Sequence, residues 1–188
     1  TWRSPITSRE AVGSSRRGYN LYAGTNNRWQ FWTGTGSASW DILTGPAVQI
    51  GAWTHLAVTY DSLFSIGQTH FGRKRMYLNG SLVATRNFAR YRANSGADLH
   101  VAAGSTSGST FFFEGAVDEL RVFDLVLSEA EVVAVMAATH PCPGEVDHYA
   151  IAHAGTAVTC EAAAVSITGH DNNLPTHGEV EPNSTVTI

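Results

Sequence analysis

The sequence predicts an all-β sandwich, and three observations carry this prediction. Of the 188 residues, 18 are glycine, while aromatic residues make up 10% and charged residues only 15%. Short β-branched and aromatic segments alternate with Gly, Asn and Ser turns, which is typical of an all-β chain. Residues 53–60 are apolar on both faces, so we expect a central strand covered on both sides. A chain of this length can bury a full core and part of a second domain.

The segments before this strand alternate between strand-like and turn-like composition. Adjacent Phe31 and Trp32 must face opposite sides of a strand, so one belongs to the core and the other can lie at the surface. In chain order, we predict an extended start at 1–10 with Trp2 in the core, a loop at 13–18, a hairpin of 19–23 with 29–33 across residues 24–27, and short strands at 39–43 and 47–50.

After the central strand, residues 61–74 are predicted to form a connection much longer than a hairpin requires. This segment contains His70 and runs into the basic residues Arg73, Lys74 and Arg75. It is interpreted either as a recognition loop or as a surface insertion. The pair Asn79-Gly80 then predicts a two-residue hairpin turn between apolar segments.

The last third of the first unit is predicted to hold a long strand and one helix. Residues 99–103 are predicted as a strand and 104–110 as a loop. Within 111–123 the apolar residues change parity, which predicts a β-bulge near Asp118 and Glu119. Ser128 and Glu131 have the spacing of a capping box, so a helix is expected over residues 129–138.

A second unit is predicted after the Pro-rich linker at 140–144, giving domains at 1–139 and 140–188. Strands are expected at 147–153, 164–170 and 185–188. Cys142 and Cys160 lie 18 residues apart without a Cys-x-x-Cys pattern. A disulfide is the leading interpretation and two buried free thiols are the alternative. A bridge would stabilise the fold by roughly 3 kcal/mol and indicates a location outside the cytosol.

Charge and hydropathy narrow the function classes. The net charge of −4 and the isoelectric point near 6.0 provide no general attraction to nucleic acid or to an anionic membrane. The chain has no apolar run of about 18 residues, so no membrane insertion is expected within it. No apolar signal region follows Thr1, and we expect any targeting segment to lie outside this sequence.

Four segments of the first unit resemble the LamG-like, concanavalin A-type jelly-roll family. They are GYNLYA at 18–23, GAWTHLAVTYD at 51–61, MYLNG at 76–80 and FEGAVDELRVFD at 113–124, with Leu127-Ser128 after them. The resemblance implies a concanavalin A-like β-sandwich with one short helix. It also implies one or two strands before the position of Thr1, so we expect the open edges to be completed by pairing with neighbouring subunits or with another part of the same protein.

The start of the second unit is similar to a domain of MshQ-type proteins, which belong to the mannose-sensitive haemagglutinin pilus system of bacteria. The similar residues are 142–153, followed by Gly155 and Cys160. This resemblance implies a partial immunoglobulin-like segment within a large extracellular or cell-surface protein, associated with adhesion or with a pilus or filament. The expected partner is a carbohydrate or a protein.

Exposed aromatic side chains are what a carbohydrate-binding surface requires, because they stack on the apolar faces of sugars. The alternative is that all of them belong to the core. The candidate ligand-binding residues are Tyr19, Tyr22, Trp29, Trp32 and Trp40, together with His70, Arg73 and Arg75 as donors. Asn79 and Asn183 begin glycosylation sequons, which matter only in a eukaryotic secretory route.

Two other site chemistries are less well supported by the sequence. Some jelly-roll relatives hydrolyse glycans with paired carboxylates, but Glu114 and Asp118 on a regular strand would lie about 13 Å apart. The resemblance also raises calcium binding, yet the loops at 13–18 and 104–110 contain no carboxylate. Asp61, Asp98 or residues 171–173 are the alternative ion ligands.

We therefore expect no cofactor and a non-enzymatic recognition or assembly module. A glycan hydrolase remnant and a structural spacer are the alternatives.

Overall fold

The computed structural model describes residues 2–106 and 110–138, together with the backbone of three later strands. The elements are β1 (Arg3–Val12), β2 (Ser15–Ala23), β3 (Arg28–Gly34), β4 (Trp40–Ala47), β5 (Leu56–Ile66), β6 (Thr69–Leu78), β7 (Ser81–Tyr91), β8 (His100–Val101), α1 (Glu129–Ala137), β9 (His148–His153), β10 (Ala164–His170) and β11 (Glu179–Thr187). The chain divides into two compact units, Thr1–Ala138 and Thr139–Ile188. The predicted all-β class is confirmed.

The first sheet is antiparallel, with strand order β4-β3-β2-β1-β8. The predicted hairpin of β2 and β3 is confirmed, and Asn27 at its turn has a positive φ of 54°. The predicted loop at 13–18 is shorter than expected because β2 begins at Ser15. The prediction of separate strands at 39–43 and 47–50 is wrong, since the continuous strand β4 pairs with β3 as far as Ala47. The predicted strand at 99–103 is reduced to the two residues of β8.

The second sheet has the order β5-β6-β7, and its long hairpin overturns the predicted loop at 61–74. Strands β5 and β6 continue to a tight turn at Gly67, whose φ is 58°. Near that turn, the rings of Phe64 and Phe71 stack across the strands with centroids 5.1 Å apart. Such cross-strand pairs stabilise a hairpin, which explains why a segment with few β-branched residues is nevertheless extended.

Strand β5 lies at one end of its sheet, so the prediction of a central strand covered on both sides is wrong. Trp53 precedes the strand, and 72% of its surface is exposed. The hairpin predicted at Asn79-Gly80 is confirmed. Both residues have positive φ, 48° and 82°, as a type I′ turn requires.

The prediction of a strand with a bulge at 111–123 is also wrong, because the structure assigns no strand to these residues. Phe111 and Glu119 have positive φ values of 57° and 50°, which interrupt an extended backbone. The Asp118 side chain accepts a hydrogen bond from the backbone N–H of Glu119 at 2.8 Å. Such local bonds compete with sheet pairing. Several large apolar side chains here are exposed, including Val122 at 65%.

Helix α1 is confirmed with its capping box. Ser128 is the N-cap residue, and its hydroxyl accepts a hydrogen bond from the backbone N–H of Glu131 at 3.3 Å. The Glu131 carboxylate in turn accepts one from the backbone N–H of Ser128 at 2.7 Å. These two bonds satisfy N–H groups that have no partner inside the helix. Val132 is buried and anchors the helix.

The core of the first unit lies between the inner faces of its two sheets. Its buried cluster consists of Ile6, Leu21, Ala23, Trp29, Phe31, Leu43 and Met76. Phe31 therefore points inward and Trp32 outward, which confirms the alternation expected for this pair. Trp2 was predicted in the core but lies outside this cluster.

A buried ion pair links the two sheets. The Lys74 ammonium of β6 lies 3.1 Å from the Asp41 carboxylate of β4 and donates a hydrogen bond to the Asp41 backbone carbonyl at 2.7 Å. Arg86 and the backbone N–H of Arg90 also donate to this carboxylate. Burial raises the pKa of Asp41, but Lys74 and these hydrogen bonds outweigh it and lower the pKa overall. Burial lowers the pKa of Lys74 to about 8, against the opposing attraction of Asp41.

The second unit contains an antiparallel sheet with the order β11-β10-β9. Strands predicted at 147–153 and 164–170 are confirmed as β9 and β10, whereas the third strand begins earlier than expected, at Glu179. Cys142, Cys160 and residues 171–173 lie outside the described residues, so the predicted disulfide stays a prediction. The immunoglobulin-like character of this unit also stays a prediction.

Candidate functional site

The outer face of the first sheet carries an aromatic cluster that follows from strand alternation. Tyr22 of β2 and Trp32 of β3 point away from the inner-face residues Leu21 and Phe31. In β4, Trp40 pairs with Gly34 and therefore shares the side of Trp32. One face of three neighbouring strands thus presents rings, while the other face builds the core.

Five rings form this surface, which we call the aromatic face: Trp2, Tyr22, Trp32, Trp40 and Phe111. The centroid of Trp32 lies 5.2 Å from that of Trp2, 5.4 Å from Tyr22 and 6.1 Å from Trp40. Most of these contacts are edge-to-face or tilted, a favourable geometry for aromatic pairs. Tyr22 is buried beneath its neighbours, and the three tryptophans remain partly exposed.

Hydrogen bonds hold the rings in place. The Trp32 indole N–H donates to Oε1 of Gln30 at 2.9 Å. The Tyr22 hydroxyl donates to the backbone carbonyl of Gly104 at 2.8 Å and accepts from Arg9 at 3.0 Å. Burial raises the pKa of Tyr22, and the Arg9 charge opposes part of that effect. The phenol therefore stays neutral near neutral pH and can donate to Gly104.

Arg9 completes the aromatic face from strand β1. The centre of its guanidinium group lies 5.3 Å from the ring centroid of Trp40, a cation–π distance. Its Nε–H donates to Oγ1 of Thr106 at 3.3 Å. Arg9, Trp2 and Gln30 were not predicted as site residues. Gln30 lies two residues before Trp32, so strand alternation places both on the same face and could have identified Gln30.

Two of the predicted aromatic site residues lie on the inner face instead. Trp29 is only 6% exposed and belongs to the core cluster, and Tyr19 packs against that cluster. Burial raises the pKa of Tyr19. The structure therefore unites Tyr22, Trp32 and Trp40, but it does not bring Tyr19 and Trp29 to the same surface.

The predicted donors lie on the second sheet, in β6, rather than on a loop beside the aromatic face. His70 Nδ1 lies 2.8 Å from the Ser65 hydroxyl, and Arg73 donates to Asn87 at 3.1 Å. Arg75 pairs with Thr59 and Thr85 in the sheet. The structure therefore separates these donors from the sheet that carries the tryptophans.

A cavity of about 690 Å³ lies between the two sheets. The inner-face residues Leu21 and Phe31 line one side, Leu56 and Val58 another, and residues 116–127 a third. This lining is mainly apolar, so the cavity provides few of the convergent hydrogen bonds that fix sugar hydroxyls. The aromatic face lies on the opposite side of the same strands.

The carboxylates of the described part are mostly engaged with basic groups or backbone. Glu114 pairs with Arg3 at 2.7 Å, and Glu119 pairs with Arg121 at 2.5 Å. Asp41 is occupied by the inter-sheet ion pair. Within the described residues, no group of three or more His, Cys, Asp or Glu side chains is placed to hold a metal ion.

The two sequons lie in different units of the chain. Asn79 is exposed at its hairpin turn, where its side chain accepts a hydrogen bond from the backbone N–H of His55 at 2.9 Å. Asn183 lies in β11, for which the backbone alone is described. Glycosylation at both positions stays a prediction.

Two antiparallel sheets packed around one core, with a single short helix, define the first unit as a β-sandwich of the concanavalin A type. Residues 1–133 match the family model described as the concanavalin A-like lectin/glucanases superfamily, and the chain belongs to this family. The superfamily includes both lectins and glucanases. Comparisons with curated proteins and with solved structures return no match.

The family match ends at residue 133, and the comparisons give no support to the MshQ-type resemblance of the second unit. None of the described helices has the length and apolar character needed to cross a membrane.

Proposed function

We propose that the first unit is a non-enzymatic recognition module that binds carbohydrate on the aromatic face. The observation that carries the proposal is the set of partly exposed tryptophans on one face of a sheet, centred on Trp32, whose indole N–H is fixed by a hydrogen bond to Gln30. Rigid indole rings offer flat apolar surfaces on which a pyranose ring can stack with little loss of conformational entropy. Family membership supports this proposal, since lectins are part of the superfamily.

Polar groups beside the rings supply the second requirement of a sugar site. Arg9 lies at the edge of the stacked rings and presents guanidinium N–H groups, while Gln30 is buried and its Oε1 accepts from the Trp32 indole. A sugar needs such donors and acceptors to fix its hydroxyls after the rings have excluded water.

We further propose that the protein acts outside the cytosol, at a cell surface or in an extracellular assembly. This location rests on the expected disulfide and on the LamG-like fold.

A glycan hydrolase would need two free carboxylates about 5–10 Å apart beside the bound sugar. Of the carboxylates in the region considered for hydrolysis, Glu114 and Glu119 each have a cationic partner and Asp118 accepts a backbone hydrogen bond, which favours binding over hydrolysis. A glycan array followed by incubation with the bound glycans tests both classes. We expect retention of specific glycans without release of reducing ends. Released reducing ends would show a hydrolase, and an array without any retained glycan would favour a structural spacer.

A further inference from the structure

The aromatic face contains one cation, Arg9, whose charge no carboxylate of the described residues neutralises. Arg3, Arg17, Arg86 and Arg121 each form an ion pair with a carboxylate, whereas the other arginines of this unit, Arg9 among them, form none within the described residues. Arg9 instead bonds to two neutral hydroxyl groups and lies over the ring of Trp40. A guanidinium group has more N–H donors than these two bonds use.

The geometry around Arg9 orients its planar group before any ligand arrives. Tyr22 fixes one nitrogen, Thr106 fixes another, and the Trp40 ring lies 5.3 Å from the guanidinium carbon. A guanidinium held in this way loses little entropy on binding a planar or tetrahedral anion. Partial burial between aromatic rings also weakens solvent screening of its charge.

We propose that the ligand of the aromatic face is an acidic carbohydrate, whose carboxylate or sulfate group accepts hydrogen bonds from Arg9 while its ring stacks on the tryptophans. This inference rests on the proposed function. The chain carries a net charge of −4, so a general attraction to polyanions does not account for such binding. Selectivity for acidic sugars must therefore come from this one local cation.

The test compares three oligosaccharides of equal length by isothermal titration: a neutral galactan, an oligogalacturonate and a sulfated galactan. We expect the acidic ligands to bind roughly tenfold or more tightly than the neutral one, as a charge-assisted hydrogen bond provides. Their advantage should shrink as salt is added. Lowering the pH through the uronate pKa weakens binding of the galacturonate alone, which separates carboxylate from sulfate recognition.

Arg9→Gln should lower the affinity for the acidic ligands roughly tenfold more than the affinity for the neutral ligand, and so remove the advantage of the acidic ligands. Arg73→Gln, which removes an equal charge from the second sheet, serves as the matched control and should behave as wild type. Arg9→Lys keeps the charge without the planar group, and it should retain part of the selectivity if Arg9→Gln is poorly folded.

Equal wild-type affinity for neutral and acidic sugars overturns the inference and leaves the proposed function standing. An equal loss of both affinities in Arg9→Gln also overturns it, since Arg9 would then only support the rings. Failure of every sugar to bind overturns the proposed function as well.

Discussion

Strands β2 and β3 carry aromatic residues on both faces, but the two faces differ in their polar partners. On the inner face, Trp29 and Phe31 pack with aliphatic residues, and the Trp29 indole N–H has no hydrogen-bond partner. On the outer face, Trp32 and Tyr22 have defined hydrogen-bond partners, and the Trp32 ring remains partly exposed to solvent. Aromatic content alone therefore does not identify a binding surface. The hydrogen bonds that orient the rings distinguish the two faces.

The largest expected effect concerns the ion pair that joins the inner faces. Asp41→Ala should lower the free energy of unfolding by about 3–5 kcal/mol, because it leaves the Lys74 charge buried without a partner. Urea unfolding of the purified variant measures this change. Adding Lys74→Met should recover much of the loss, since the double variant contains no unpaired charge. A double variant as unstable as the sum of both single changes would contradict this account.

The next largest effect on stability is expected for Phe31 of the inner face, compared with its neighbour Trp32 of the outer face. Phe31→Ala should cost about 3 kcal/mol, because it opens a cavity in the core. Trp32→Ala should cost less, under about 2 kcal/mol, because its ring is partly exposed and a surface change is milder. Both values come from parallel urea titrations. A larger loss for Trp32→Ala would place Trp32 in the structural core and weaken the distinction between the two faces.

A smaller effect is expected from acid titration of Asp41. Its pKa is lowered below the ordinary value of 3.8 in the folded protein. The folded state therefore binds fewer protons than the unfolded state in this range, so the stabilisation is present above about pH 4 and is lost as the pH falls through the folded pKa. Stability curves between pH 2 and 7 should fall more steeply for wild type than for Asp41→Asn. Parallel curves would refute this.

Much of the first unit could be predicted from local signals, and the failures have physical causes. The Asn79-Gly80 turn and the Ser128 capping box are decided by a few neighbouring residues, and both predictions are confirmed. The extended hairpin at 61–74 depends on cross-strand pairs such as Phe64 with Phe71, which sequence spacing does not reveal. Composition also could not show that β5 lies at a sheet edge, because strand order is set by tertiary pairing.

The candidate site was predictable in part. Strand alternation assigned Phe31 and Trp32 to opposite faces, which located part of the aromatic face. Arg9 lies in β1 and Trp2 just before it. Arg9 contacts Trp40 of β4, and Trp2 contacts Trp32 of β3, so both join this face through residues distant in sequence. Long-range contacts of this kind leave no local pattern. Trp29, by contrast, lies three residues before Trp32 in the same strand, so alternation alone places it on the opposite face and could have separated the two.

The central claim is that carbohydrate binds the aromatic face, and a matched pair of tryptophan variants tests it most directly. Calorimetric titration of a glycan retained by the array would be carried out on wild type, Trp32→Ala and Trp53→Ala. Trp53 is 72% exposed but lies outside the aromatic face, so it controls for loss of any surface indole. We expect Trp32→Ala to weaken binding by about tenfold or more, as loss of one aromatic stacking contact implies, with Trp53→Ala unchanged. Equal binding by all three proteins, or a loss confined to Trp53→Ala, would contradict the account.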